Sequence, residues 1–351
     1  MIAPPSVREV LDQLRAGGVP VTGDEATITR ALDPAMNASQ AWYVRLLVGL
    51  GAWAACAFFL AFLAVTGLID SRTTAGMLGI VLVAGSTALR HRTEHDGLVQ
   101  LALSLSLAGR GLLYGSLATT GETALAAAAL GLETLTIVTY PDVVNRFLAT
   151  GGAWLALLGL VASLRLPAPV FELTTVALAA LTALAWERAP ALAAHRHGET
   201  HGPVATAMAT ALIVTSMLRP WRLHDFDWHD MHPSVLVSLG LTAVLGWVVG
   251  RVRHDHGGPP WKALAVAVLF GLLTSPSPAM VASAIVLTLG VHRRRRGLVG
   301  LGAAGFALGL FKLYYDLDVT LLTKSGLLVA GGALLLGARA LAASAARRLA
   351  R

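Results

Sequence analysis

Between residues 43 and 342 the chain is a succession of apolar runs, 15 to 27 residues long and separated by short polar connections. A helix crossing the hydrocarbon of a bilayer needs roughly 20 such residues. In that solvent each backbone amide must find its partner within the same segment, which restricts the runs to helices. Twelve spans fit, at approximately 43–69, 73–90, 98–118, 123–140, 147–165, 169–187, 204–219, 233–252, 260–275, 278–292, 297–315 and 319–342. The expected fold class is therefore all-α, a polytopic transmembrane helical bundle. Only 13% of the residues are charged and the mean hydropathy is +0.67, beyond the range of an ordinary soluble domain of this size. The alternating ten-residue segments of a membrane β-barrel are absent.

Three regions follow from this division: a polar segment 1–42, the bundle 43–342 and a basic tail 343–351. The first apolar run starts too late and runs too long for a signal peptide. Within the polar segment, SVREVLDQLRAGG places Val7, Val10, Leu11 and Leu14 on one stripe, with Gly17 and Gly18 as a stop. That pattern predicts a short amphipathic helix at the cytoplasmic surface.

Charge gives the orientation. With the N-terminus inside, 20 of the 27 Lys and Arg residues fall on the cytoplasmic side. Arg72, Arg165, Arg219, Arg222, Lys312 and Lys324 fall outside, and Arg110 lies within the membrane. The excess of basic residues on one side is the positive-inside signature, and it predicts a bacterial cytoplasmic membrane protein with both termini cytoplasmic. The net charge of +7 is spread over helix ends and forms no stripe, so no nucleic-acid partner is expected. Arg45, Leu47, Ala52 and Trp53 recur at the same spacing as Arg146, Leu148, Ala153 and Trp154, and faintly from Lys262. This weak repeat is compatible with three four-helix units.

Chemistry-bearing residues are few. Cys56 is the only cysteine, which rules out an internal disulfide. No phosphate-binding G-x-x-x-x-G-K-[ST] loop, H-E-x-x-H or G-x-S-x-G is present, so neither an enzyme nor a cofactor is expected. A lipid-modifying activity at the outer leaflet would have Glu172, His224 and Asp230 to draw on, in no specific pattern.

Arg110 stands near the middle of the third span, where a charge costs at least about 2.5–3.5 kcal/mol. Glu133 in the fourth span is its nearest candidate partner in sequence. Gln100, Ser104, Gly111 and Tyr114 are expected on or beside one face of the third span, and Glu133, Thr136 and Tyr140 on one face of the fourth. Such faces belong to a buried ion pair that fixes packing, or to a substrate pathway.

At the far end, Lys312, Tyr314, Tyr315, Asp316, Asp318, Lys324 and Ser325 form an outer hairpin between spans eleven and twelve. Its tyrosines and lysines suit interfacial anchoring, and two lysines facing two aspartates suit the mouth of a polar cavity. The loop RPWRLHDFDWHDMHP offers His224, His229, His232 and Asp230 as candidate zinc or copper ligands, in no recognised metal spacing. The histidines of HRHGETH, at 195–201, read as solvated loop groups.

The string YYDLDVTLLTKSGLLVAGGALLLGAR resembles the C-terminal signature of an uncharacterised bacterial family of polytopic membrane proteins, a domain of unknown function. WYVRLLVGLGAWAACAFFLAFL and QLALSLSLAGRGLLYG are similar to that family's N-terminal half. Tyr315, Leu321, Leu322, Lys324 and Ser325 match best, whereas Arg110 stands where an uncharged polar residue is expected. Members are similar to proteins encoded beside a small membrane-anchored protein named for its GDYXXLXY motif, and the resemblance implies such a protein as a partner. Two functional readings follow: a secondary transporter or permease of a small solute or lipid, and a non-catalytic subunit that binds or stabilises an envelope protein.

Overall fold

The computed structural model describes residues 42–93, 95–193, 198–217, 235–255, 260–274 and 277–316, with isolated positions 12, 16, 322, 325, 326 and 329. Among them every regular element is a helix: α1 Trp42–Val65, α2 Arg72–Arg92, α3 Asp96–Leu117, α4 Glu122–Thr139, α5 Val143–Ser163, α6 Ala168–Glu187, α7 Ala189–Ala193, α8 Gly198–Met217, α9 Val235–Asp255, α10 Pro260–Leu273, α11 Pro278–His292 and α12 Arg296–Asp316. Eleven of these coincide with the first eleven expected spans to within a few residues. Of the twelfth span only Leu322, Ser325, Gly326 and Val329 are described, and of the amphipathic segment only Asp12 and Ala16. Among the described residues, seven helices are long and apolar enough to cross a membrane. This is an all-α membrane bundle.

Local chemistry sets the boundaries. Asp142 caps α5 by accepting a hydrogen bond from the Asn145 amide at 2.8 Å, which satisfies one of the donors that a helix start leaves open. Pro278 opens α11, where its missing N–H costs nothing. Gly67, Arg165 and Arg294 all have positive φ just past the ends of α1, α5 and α11. Each end closes with the same pair of reversed backbone bonds, such as Leu166 N–H to Val161 C=O and Arg165 N–H to Ala162 C=O. Glycine reaches that conformation without strain, whereas a residue with a side chain pays roughly 1–2 kcal/mol.

The chain divides into two compact units, residues 1–113 and 114–351. In the first, α2 and α3 approach closely at a pair of glycines. A Cβ on Gly79 would lie 2.8 Å from the Gly109 carbonyl oxygen, and one on Gly109 would meet Gly79 in return. Cys56 is buried on α1, its thiol directed at the Ser104 carbonyl at 3.4 Å.

In the second unit, α4 packs on α5, α9 on α10 and α11 on α12, as expected of neighbours joined by short turns. The core lies among α6, α8, α9 and α11, around Leu178, Leu212, Leu241, Val248, Ile285 and Leu289. α12 lays Gly302, Gly305 and Gly309 against α11, where a Cβ would come within 2.6, 2.7 and 3.2 Å of Leu287, Ser283 and Met280. Helices in lipid gain nothing from excluding water, so small residues that allow dispersion contact between backbones hold them together.

Candidate functional site

α4 and the residue that caps its C-terminus carry three polar side chains inward. Glu133, Thr136 and Tyr140 are buried, with Tyr140 fully so, on the shared face that their i, i+3, i+7 spacing predicts. Thr136 donates back to carbonyls one turn earlier, so its hydroxyl is satisfied within the helix. Glu133 cannot do the same, because a carboxylate has only acceptors to offer. Its Oε1 accepts a hydrogen bond from the Tyr114 phenol at 2.5 Å.

The opposite wall is α5. A Cβ on Gly152 would lie 2.9 Å from both the carboxyl carbon and Oε1 of Glu133. Gly152 thus makes room for the carboxylate between two helices in close contact. On the same helix Asn145 is fully buried and Thr150 nearly so, and Trp154 Nε1 donates to Thr215 Oγ1 of α8 at 2.8 Å. α5 thus buries polar groups of its own, and its Trp154 turns to α8. Sequence reasoning missed Gly152. The available signal was the Gly151–Gly152 pair within an apolar helix, but a glycine pair does not say which residue it accommodates.

On α3, Arg110 is 3% exposed, and Leu103, Ser106 and Gly109 are buried with it. Gln100 is half-buried and its carbonyl accepts from Ser104 at 2.9 Å. Gly111, expected beside this polar face, is instead exposed: at 100° per residue it has turned away from Arg110. Tyr114 follows Arg110 by one turn and is half-buried.

A second polar cluster closes the ends of α6 and α11. Arg293 Nη2 donates to the Glu187 backbone carbonyl at 2.8 Å and to its carboxylate at 2.9 Å, while His292 Nε2 lies 4.0 Å from the other carboxylate oxygen. Next to it, α8 begins six residues earlier than expected, which takes His201 out of the presumed loop. His201 Nε2 donates to the Ala185 carbonyl at 2.9 Å, and its ring stands edge-on to Trp186 at 6.0 Å. The solvated-loop reading fails for this histidine because proximity to α6 supplies both an acceptor and an aromatic face.

The remaining candidates are dispersed. Lys312 and Tyr314 are half-buried near the end of α12, Tyr315 is exposed, Asp316 is its last residue, and Ser325 is exposed. Asp318 and Lys324 lie outside the described residues, as do His224, His229, His232 and Asp230. Phe311, Tyr314 and Tyr315 form an aromatic cluster, with centroids 4.5 Å apart for Phe311 and Tyr315 and 5.4 Å for the two tyrosines. Glu172 is buried near the start of α6.

No solved structure matches the chain. The family described as Domain of unknown function (DUF4401) matches residues 41–343, nearly all of the all-helical bundle, and the protein belongs to that family.

Proposed function

We propose that the protein is a multi-pass permease or secondary transporter of a small solute or lipid, with Glu133 in its pathway. The supporting observation is the carboxylate of Glu133, buried on a helix apolar enough to cross a membrane, bonded by the Tyr114 phenol and accommodated by a glycine. Ionisable groups at such depth are costly and concentrate on substrate and ion routes. Arg110, with Gln100 and Tyr114 on the same helix, supplies further polar groups. The orientation consistent with the charge distribution is a bacterial cytoplasmic membrane with both termini inside.

The test is uptake by proteoliposomes across a panel of ions, small solutes and fluorescent lipids. Glu133→Gln keeps an acceptor for Tyr114 while removing the charge, so the variant is expected to fold and lose flux. Arg110→Gln is expected to lose flux as well. Flux unchanged in both variants would sink the pathway.

A second reading, a non-catalytic subunit, is favoured by the exposed aromatic cluster of Phe311 and Tyr315 at the end of α12. Exposed aromatics of this kind serve as anchors for partners as well as for membrane interfaces. The partner would be the GDYXXLXY-type membrane protein. Its co-purification from native membranes, and its loss on Lys324→Ala or on joint replacement of Phe311 and Tyr315 by Ala, are expected. A protein that purifies alone from mild detergent would overturn this reading.

A further inference from the structure

Between the last turns of α9 and the start of α10 runs a groove of about 510 Å³, within the roughly 300–1,000 Å³ of small-molecule sites. Gly246, Gly250 and His254 follow one another at i, i+4 and i+8 along α9, so two missing side chains form the floor and an imidazole stands at its end. Trp247 and Arg251 form a parallel row one turn apart, the indole followed by the guanidinium. Trp261 and Leu264 of α10 make the other wall. Trp247 is 44% and Trp261 65% exposed, so both indoles present large apolar faces.

The groove is polarised along its length. Along α9, glycine and Trp247 give way to Arg251 and His254 towards the helix C-terminus, and no acidic residue lines the groove among the described residues. We infer that it holds one anionic phospholipid, with an acyl chain along the glycine floor and the phosphate against Arg251 and His254. The occupant follows from the sequence of chemistries. Indoles occupy the headgroup level of a bilayer, cations beside them attract anionic headgroups, and a guanidinium matches phosphate in geometry as well as charge. A zwitterionic choline headgroup would find the indoles attractive but would bring its ammonium beside Arg251. The inference requires α9 to reach the interface, and it is independent of any transport through Glu133.

Gly250 supplies a clean probe. A Cβ there would meet no atom within 4 Å, whereas one on Gly246 would strike Leu264 at 2.8 Å. Gly250→Leu therefore sends a side chain into the groove from a Cβ that meets no protein atom. The full-length protein is reconstituted in phosphatidylcholine nanodiscs, and tryptophan quenching is titrated with dibrominated phosphatidylglycerol or dibrominated phosphatidylcholine at equal mole fraction. The phosphatidylglycerol is expected to quench in excess, and the excess should vanish when Trp247 and Trp261 are both replaced by Phe. Arg251→Gln with His254→Gln should weaken the apparent affinity about tenfold, the scale of losing charge-assisted bonds. Gly250→Leu should abolish the excess, and it decides the matter alone if the double variant does not fold. Equal quenching by the two lipids, or an excess that survives Gly250→Leu, would overturn the proposal. So would displacement of the excess by soluble glycerol phosphate, which would mark a site for phosphate alone.

Discussion

Glu133 and Glu187 are both carboxylates within the larger unit, and they are held in different ways. Glu187 is the last residue of α6, where unpaired carbonyls already disfavour a negative charge. Arg293 bonds the terminal carbonyl and the carboxylate together, so one guanidinium compensates both and ties α6 to α11. Glu133 lies well inside α4 and accepts from a neutral phenol, facing a glycine on α5. The first arrangement is a clasp at a helix end, where charge meets charge. The second holds an acidic group part-way along a helix, against the backbone of its neighbour, with a phenol bonded to it.

The comparison can be broken by mutation. Glu187→Ala leaves the half-buried guanidinium of Arg293 without its carboxylate, an expected loss of about 3 kcal/mol, with Glu187→Gln in between. Urea unfolding in detergent would measure it, and a loss below that of Tyr114→Phe would reverse the assignment of clasp and pathway. Gly152→Ala forces a methyl to within 2.9 Å of the Glu133 carboxyl and should cost about 2 kcal/mol. That penalty should shrink when Glu133 is shortened to Ser, and a double-mutant cycle without coupling would remove Gly152 from the site. Tyr114→Phe deletes one bond to the carboxylate, expected at about 1.5 kcal/mol.

The smallest effect has the opposite sign. Arg294 has φ +53° beside the clasp, so Arg294→Gly should stabilise by about 1 kcal/mol if backbone strain outweighs the lost charge. Arg165→Gly, at the same kind of helix end after α5, is the control, since among the described residues no ion pair like Glu187–Arg293 lies there. A Tm rise for one variant only would separate strain from electrostatics.

The helices were legible in the sequence because hydropathy over some twenty residues is a sum, and small errors in it cancel. The start of α8 was not, since Gly198, Glu199, His201 and Pro203 look polar and broken until α6 is beside them. The inward face of α4 could be read from the spacing of Glu133, Thr136 and Tyr140. What faced it could not. Whether Gly152, Gly151 or Gly159 meets the carboxylate depends on the height at which α5 crosses α4, and no periodicity within either helix encodes that. The Glu187–Arg293 pair is separated by 106 residues and arises only from the packing of two helix ends.

α11 has 15 residues, about 22 Å of helix, against a hydrocarbon thickness of about 30 Å. A lipid-facing helix so short would force the bilayer to thin around it. α11 avoids that mismatch because nine of its residues are buried in protein, and its polar ends are received by neighbours. Ser277 donates to the Gly309 carbonyl at one end and Arg293 reaches Glu187 at the other. Its length is thus matched to its protein neighbours rather than to the bilayer.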